Sequence, residues 1–404
     1  MYAVCYLGAM ALAVVFLVLF DGRRQGLALF FASLVFGLIG FCMVPRPDVY
    51  VDTIRFFDTL DTTRTMTLWD PQQGWSYLMN DSGYNAVPVM GLIMYLLSLQ
   101  PQNGWLTFIA AAVDVGAGFV ILWGTAKRHG RVSLIVGVLA FLALFNFNAA
   151  VSGVRNYMAG ALAIVICYLT SQKKLWYAAL FFPLILIHPF VLIIVVIYFL
   201  STTIKRHRFI FSIACAVLFL QRMLQDVIFA LFERMSFIPF FASLSFKSKQ
   251  YFGEESYLVL SSVFSYLRSI LLFSLFSFII VVDMRKRALT RYDGICIMLL
   301  CLDAGAILDQ ELFSRVTGVL LFAALPMLYR LLSSGVQQLR HGRIDACFSV
   351  VVIGVIIVFV DNLRAGVSFQ NIEANLYSIV LCVIIFVFTI LSYVLSDALE
   401  RREL

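Results

Sequence analysis

The chain has 404 residues, 62% hydrophobic and 13% charged, with a mean hydropathy of +0.94 and a formal net charge of +7. Apolar runs of spanning length recur along it, the longest polar stretch is 46–86, and ten-residue alternation is absent, which excludes a separate soluble domain and a β-barrel. The positive charge is divided among short loops instead of forming one surface, so nucleic acid is not an expected partner.

The expected fold is all-α: a polytopic helical integral membrane protein, one membrane domain over 1–404 with about 13 membrane helices. In chain order the apolar runs are 1–20 and 27–45, then, after the polar 46–86 loop, a short piece at 87–100. There follow 105–124, 132–148, 154–171, 175–187, 189–201 and 209–223, and then an external 224–256 loop. The last are 257–282, 295–309, 316–332, 347–360 and 376–395. The first run lacks a basic leader and a small-residue cleavage site, and reads as a retained helix. The piece at 87–100, bounded by Pro88 and Pro101, is a re-entrant or half-length segment. The runs at 175–187 and 189–201 are also short and break at His188–Pro189, where proline ends the helix. Non-helical backbone at that depth belongs inside protein or beside a wet cavity, so this break should line one.

Loop charge sets the topology. Arg23/Arg24, Lys127/Arg128/Arg131, Lys173/Lys174, Lys205/Arg206/Arg208, Arg285/Lys286/Arg287/Arg291, Arg330/Arg340/Arg343 and Arg401/Arg402 mark the cytoplasmic side. The elements left outside are 149–155, His188–Pro189, 224–256, 309–315 and 361–375. All eight cysteines fall in apolar segments without CxxC spacing and read as packing residues, with no disulfide framework. No acidic cluster has metal-ligand spacing, so neither a metal nor a cofactor is expected.

Arg155, Arg268, Arg315 and Arg364 lie in or beside apolar runs, away from those basic loops. A cation at membrane depth costs roughly 2.5–3.5 kcal/mol on insertion scales and faces a partner or a wet cavity. In Phe145–Tyr157, Asn146, Asn148, Ser152 and Gly153 interrupt the apolar pattern before a helix opens near Arg155. A helix N-terminus with an arginine fork suits phosphate; the alternative is that Arg155 snorkels to lipid headgroups. His188 is either bonded to a carbonyl for structure or placed for proton transfer. Asp309 and Glu311 either pair with Arg315 or join it around a cavity. Arg268 and Asp303 read as a structural ion pair. The 46–86 loop carries Asp48, Asp52, Asp58, Asp61, Asp70 and Asp81 with Tyr50, Trp69, Trp75, Tyr77 and Tyr84. Those residues suit sugars, and they also suit a loop resting on headgroups.

These residues carry a resemblance. FNFNAAVSGVRNYMAGALAIVICYLTSQKKLWYAALFFPLILIHPFVL, with an arginine opening one helix and a histidine ending the next, is similar to the hallmark region of EpsG-like, Wzy-type bacterial polysaccharide polymerases. ELFSRVTGVLLFAALPML places Arg315 in that family's late Ser-Arg position, and PDVYVDTIRFFD is similar to its Asp- and Tyr-bearing first external loop. The chain departs from the pattern at Asn156, where many members have glutamine, and matches it only loosely after Asp361.

The resemblance implies a GT-C-like fold, with an outward-facing cavity, in the bacterial cytoplasmic (inner) membrane. It implies a metal-independent glycosyltransferase whose substrates are undecaprenyl-diphosphate-linked glycans, with membrane lipids and a chain-length regulator protein as further partners. The growing glycan would leave its carrier for a hydroxyl of a new lipid-linked repeat unit. Arg155 and Arg315 would neutralise the departing diphosphate, and Asp52 or Asp48, then His188, are the candidate bases. Substrate contacts are assigned to Asn148, Asn156, Tyr157, Asp309, Glu311, Arg55 and Arg364. A flippase or ligase for the same lipid-linked glycan is the alternative; a transporter could use only Asp114 and Asp303 as coupling acids.

Overall fold

A computed structural model describes residues 2–20, 22, 24–43, 52–126, 131–172, 175–221, 223–224, 227, 230, 233–235, 263–307, 309–343 and 345–364. The helices among them are α1 (Tyr2–Leu19), α2 (Arg24–Phe41), α3 (Asp52–Trp69), α4 (Pro71–Ser76), α5 (Pro88–Ser98), α6 (Gly104–Ala126), α7 (Arg131–Leu144), α8 (Phe147–Ser152) and α9 (Val154–Ser171). They continue with α10 (Phe181–Ile185), α11 (Phe190–Leu200), α12 (Thr203–Arg206), α13 (Arg208–Phe219), α14 (Val263–Arg285), α15 (Arg291–Gly305), α16 (Gln310–Arg340) and α17 (Ala346–Arg364). No strand occurs among the described residues.

Five described helices are long and apolar enough to cross a membrane: Arg24–Phe41, Gly104–Ala126, Val154–Ser171, Leu312–Arg340 and Ala346–Leu363. Their burial separates lining from core, with 28% of the apolar window buried in Ala346–Leu363 and 89% in Leu312–Arg340. Shorter apolar helices cover Ala3–Leu19, Pro88–Ser98, Val132–Leu144, Leu175–Ile185 and Arg208–Phe219. The expected span at 376–395 lies outside the described residues.

The polar 46–86 stretch departs most from expectation: within it, α3 runs for 18 residues. Its buried residues Thr53, Phe56, Leu60 and Thr63 recur at helical spacing, a narrow stripe overwhelmed in composition by Asp52, Arg55, Asp58, Asp61 and Arg64. Asp70 then caps α4, accepting from Gln72 N at 2.9 Å, with Pro71 in the first turn. The 175–187 run also differs, being 3₁₀ over Leu175–Leu180 before α10. Pro183 has no N–H for the Ala179 carbonyl, so a continuous α-helix is broken there. As expected, α10 ends before His188 and α11 begins after Pro189. Helix α5 has 11 residues, about 16 Å, half of a hydrocarbon core.

The chain divides into two compact units. Unit 1 comprises Met1–Val51, Thr107–Ser152 and Leu325–Leu404. Its helices approach through small residues: a side chain at Gly40 would begin 2.5 Å from the Thr107 carbonyl, and one at Gly37 3.0 Å from Phe108. The last carbonyls of α7 have no helical donor and are served from other helices. Tyr6 Oη donates to Leu142 O and Asn362 Nδ2 to Ala143 O, each at 2.7 Å. Phe147 then packs edge-on against Tyr6 (5.6 Å).

Unit 2 comprises Asp52–Leu106 and Gly153–Ala324. Its basic clusters gather at one end, as loop charge predicts. Arg291 lies 3.8 Å from the Tyr198 ring and donates to Tyr198 O (3.0 Å), Gly294 approaches Ser201 and Ile204, and Tyr168 meets Tyr292 edge-on at 5.9 Å. The ends of α9 and α11 therefore meet the start of α15 beside Lys205/Arg206/Arg208 and Arg285/Lys286/Arg287. Arg287 bonds Asp283 (2.7 Å) and Asp293 (2.5 Å). The expected Arg268–Asp303 pair is replaced: Asp303 is bonded to Thr317 Oγ1 at 2.9 and 3.1 Å. A neighbouring helix thus supplies a short hydroxyl partner from within the core.

Candidate functional site

Arg155 opens α9 in unit 2. The preceding Gly153 ends α8 and supplies no side-chain cap, while its carbonyl accepts from Asn156 N (3.0 Å) and Tyr157 N (3.1 Å). The half-buried Arg155 guanidinium lies between two aromatic residues, 5.1 Å from the Phe56 ring and 5.4 Å from the Tyr84 ring. Neither a hydrogen bond nor an ion pair ties it to any described residue. A guanidinium carries five N–H donors in a fixed fork. Aromatic faces attract its charge without consuming those donors, so Arg155 is held in place with its donors available.

Phe56 reaches Arg155 because it lies on the buried stripe of α3. The first turn of that helix also carries Asp52 and Arg55, paired at 3.1 Å with side chains 30% and 56% exposed. Tyr84 reaches it from a 3₁₀ turn, Tyr84–Ala86, that follows Gly83 at φ +71°, a conformation suited to glycine. Burial raises the Tyr84 hydroxyl above its usual range, while the charges of Arg155 and Arg55 pull the other way. Asp52, Arg55, Phe56, Tyr84 and Arg155 therefore form one cluster, closed by elements distant in sequence. Arg64 braces α3 about two turns further along: its Nε donates to Gln100 O (2.9 Å) and Ser98 O (3.2 Å), its Nη2 to Asn103 Oδ1 (2.6 Å), and it pairs with Asp61. A cation there also suits the C-terminal end of α5.

Arg315 comes to the same end of unit 2 by helix packing. A side chain at Gly318 would begin 2.7 Å from the Tyr157 ring, and one at Gly160 would begin 2.6 Å from Val319. Arg155 lies within one turn of Tyr157 and Arg315 within one turn of Gly318. Successive residues turn by about 100°, so Arg155 leaves α9 on the side opposite Tyr157 and Gly160. Tyr157 packs the helices together, and Arg155 faces Phe56 and Tyr84.

Asp309 does not pair with Arg315. It caps α16, its Oδ1 accepting from Leu312 N (3.1 Å) and its carbonyl from Phe313 N (2.8 Å). His188 Nδ1 accepts from Phe190 N at 3.2 Å in the first turn of α11. That bond places the neutral ring's proton on Nε2. The break containing His188 borders α5, since Met90 N donates to Leu186 O (3.4 Å). Tyr84 also lies against α5, 3.1 Å from where a Gly91 side chain would begin. Asn156 is buried and its Oδ1 accepts no hydrogen bond; in unit 1, buried Asn148 on α8 makes none with either amide atom. Asp48 and the side chains of Glu311 and Arg364 lie outside the described residues. No group of three metal-ligating side chains occurs among those described.

Sequence reasoning named Tyr84 only as one of several aromatic platforms and did not name Phe56. The spacing of Thr53, Phe56, Leu60 and Thr63 was the signal available. Compared with protein-family models, characterised proteins and solved structures, the chain matches none of them.

Proposed function

We propose that the chain is a polysaccharide polymerase, a membrane glycosyltransferase that joins undecaprenyl-diphosphate-linked repeat units at the outer face of the bacterial cytoplasmic membrane. The observation that carries the reading is Arg155: a half-buried guanidinium at a helix start, braced by Phe56 and Tyr84 with its donors uncommitted. A diphosphate leaving group needs such a donor where its charge develops. Asp52 and Arg55 stand beside Phe56, and Arg315 lies at the same end of unit 2, near the α9 face opposite Arg155.

In the reaction, a hydroxyl oxygen of the incoming unit bonds to the anomeric carbon of the growing glycan. The bond from that carbon to the diphosphate breaks, and undecaprenyl diphosphate leaves with the electron pair. The hydroxyl proton passes to Asp52 or Asp48, with His188 Nδ1 as the alternative acceptor once its bond to Phe190 opens. Arg155 binds the departing anion by its fork, and the buried Asn156 Oδ1 is an acceptor for a sugar hydroxyl.

The test is glycan length in cells carrying Arg155→Ala or Arg315→Ala. Each variant should insert normally, make no long chains and accumulate single lipid-linked units at the outer face. Accumulation at the inner face would identify a flippase instead, and wild-type chain lengths would remove that arginine from the mechanism. Arg155→Lys should also fail, because lysine offers a point charge without the fork.

A further inference from the structure

Helices of unit 2 approach one another through glycines, and one such contact leaves two thiols facing each other. Helices α13 and α15 run in parallel. Ser201, seven residues before α13, lies 3.3 Å from where a side chain at Gly294 near the start of α15 would begin; at the ends of the two helices, one at Gly305 would begin 2.7 Å from the Leu218 carbonyl and would overlap the Phe219 carbonyl. Gln221 Nε2 donates to Leu302 O at 3.0 Å across the same contact. Cys215 is one turn before Phe219, and Cys301 is one turn before Gly305. Residues four apart share a helix face, so this register brings the two cysteines to one level on facing surfaces. The two side chains are near enough to interact. Both are half-exposed, whereas Cys167 and Cys296 are buried.

We propose that Cys215 and Cys301 are a disulfide-forming pair, an oxidation site that the scattered cysteine spacing in the sequence does not announce. In the reaction two S–H bonds break and one S–S bond forms. Two protons and two electrons pass to a membrane-soluble quinone, which becomes the quinol. Backbones close enough to exclude a side chain at Gly305 suit the short Cα separation a disulfide needs. The bond would tie α13 to α15, the helix that leads through Asp309 to Arg315. This inference does not depend on the polymerase reading.

The test uses the full chain in membranes, with a specific protease site inserted between Ser245 and Lys249. Membranes are oxidised with a short-chain quinone or with copper phenanthroline, free thiols are blocked, and the chain is cleaved and separated with and without reductant. The fragments should stay joined without reductant and part with it. Cys215→Ser and Cys301→Ser should each abolish the joined band, while Cys5→Ser and Cys42→Ser retain it. Fragments that separate after oxidation of the unsubstituted cysteines would overturn the proposal. So would a joined band that persists in Cys215→Ser.

Discussion

Arg155 and Arg287 face one question, how to place a guanidinium in an apolar protein, and the two ends of unit 2 answer it differently. About 20 Å of α9 separates Arg155 from Tyr168, which packs on the start of α15. At the α15 end, Arg287 is bound to two carboxylates, and Asp293 also accepts from Thr290 N (2.5 Å) and Thr290 Oγ1 (2.7 Å) in a reciprocal helix cap. Arg287 and both of its carboxylates are thus partnered within the protein. Arg155 has ring faces and no anion. A neutralised cation fastens helices together; one that is braced and left unneutralised keeps its donors available.

The sharpest way to break this contrast is to unpair the first site. Asp293 is fully buried, and Asp293→Ala leaves Arg287 with one of its two carboxylates. An uncompensated buried charge costs about 3–5 kcal/mol; Arg287 keeps Asp283 and is partly exposed, so the loss is smaller, and thermal unfolding of the purified protein in detergent should still move to lower temperature. Arg155→Ala should move it little, although on the proposed function it should abolish polymerisation. Acid gives the same network a second reading. Burial raises the Asp293 carboxyl, but Arg287 and Thr290 outweigh that and hold it below the usual carboxylate range. A depressed carboxylate stabilises the fold above its unfolded value, near pH 3.9, and loses that contribution as pH falls through the folded value. The unfolding difference between wild type and Asp293→Asn should therefore be full at neutral pH and shrink only below about pH 4. A difference independent of pH would show that the ion pair contributes nothing.

The contrast also marks what could be read from the sequence. Helical class, apolar runs, the His188–Pro189 break and the clustering of basic loops follow from composition, proline chemistry and charge, which are local properties. The Arg155 helix start was legible because Asn148, Ser152 and Gly153 interrupt an apolar pattern. Its braces were not, because Phe56 and Tyr84 are brought to it by elements about 70 to 100 positions earlier in the chain. The capping role of Asp309 was hidden for a related reason: beside Glu311 and Arg315 it looks like a charge partner, and only the backbone geometry shows it capping α16. Asp303 and Arg268 were matched by charge alone, whereas Asp303 found a hydroxyl, Thr317, fourteen residues away.

The second test removes the braces and keeps the guanidinium. A desolvated cation–π contact is worth about 0.5–2 kcal/mol, or roughly 2- to 30-fold. Phe56→Ala and Tyr84→Ala should each lower polymerisation by that factor at near-wild-type stability, and Tyr84→Phe should restore it because the ring face is retained. If Tyr84→Phe is as impaired as Tyr84→Ala, the hydroxyl carries the effect and the bracing role fails. The double alanine variant should approach Arg155→Ala, since the fork would then lose its orientation.

The smallest expected stability effect separates the two kinds of ion pair directly. Asp52 and Arg55 pair at 3.1 Å as Arg287 and Asp293 do at 2.5 Å, but on an exposed helix start. Exposed pairs contribute about 0–1 kcal/mol, so a double-mutant cycle of Asp52→Asn and Arg55→Ala should show coupling within that range in unfolding. In polymerisation the two should diverge. If Asp52 receives the hydroxyl proton, Asp52→Asn loses activity while Arg55→Ala keeps most of it. Equal and small losses would return Asp52 to its local pairing and pass the role of base to Asp48 or His188. Arg155 would keep its function in either case, because its donors face no carboxylate whose removal could alter them.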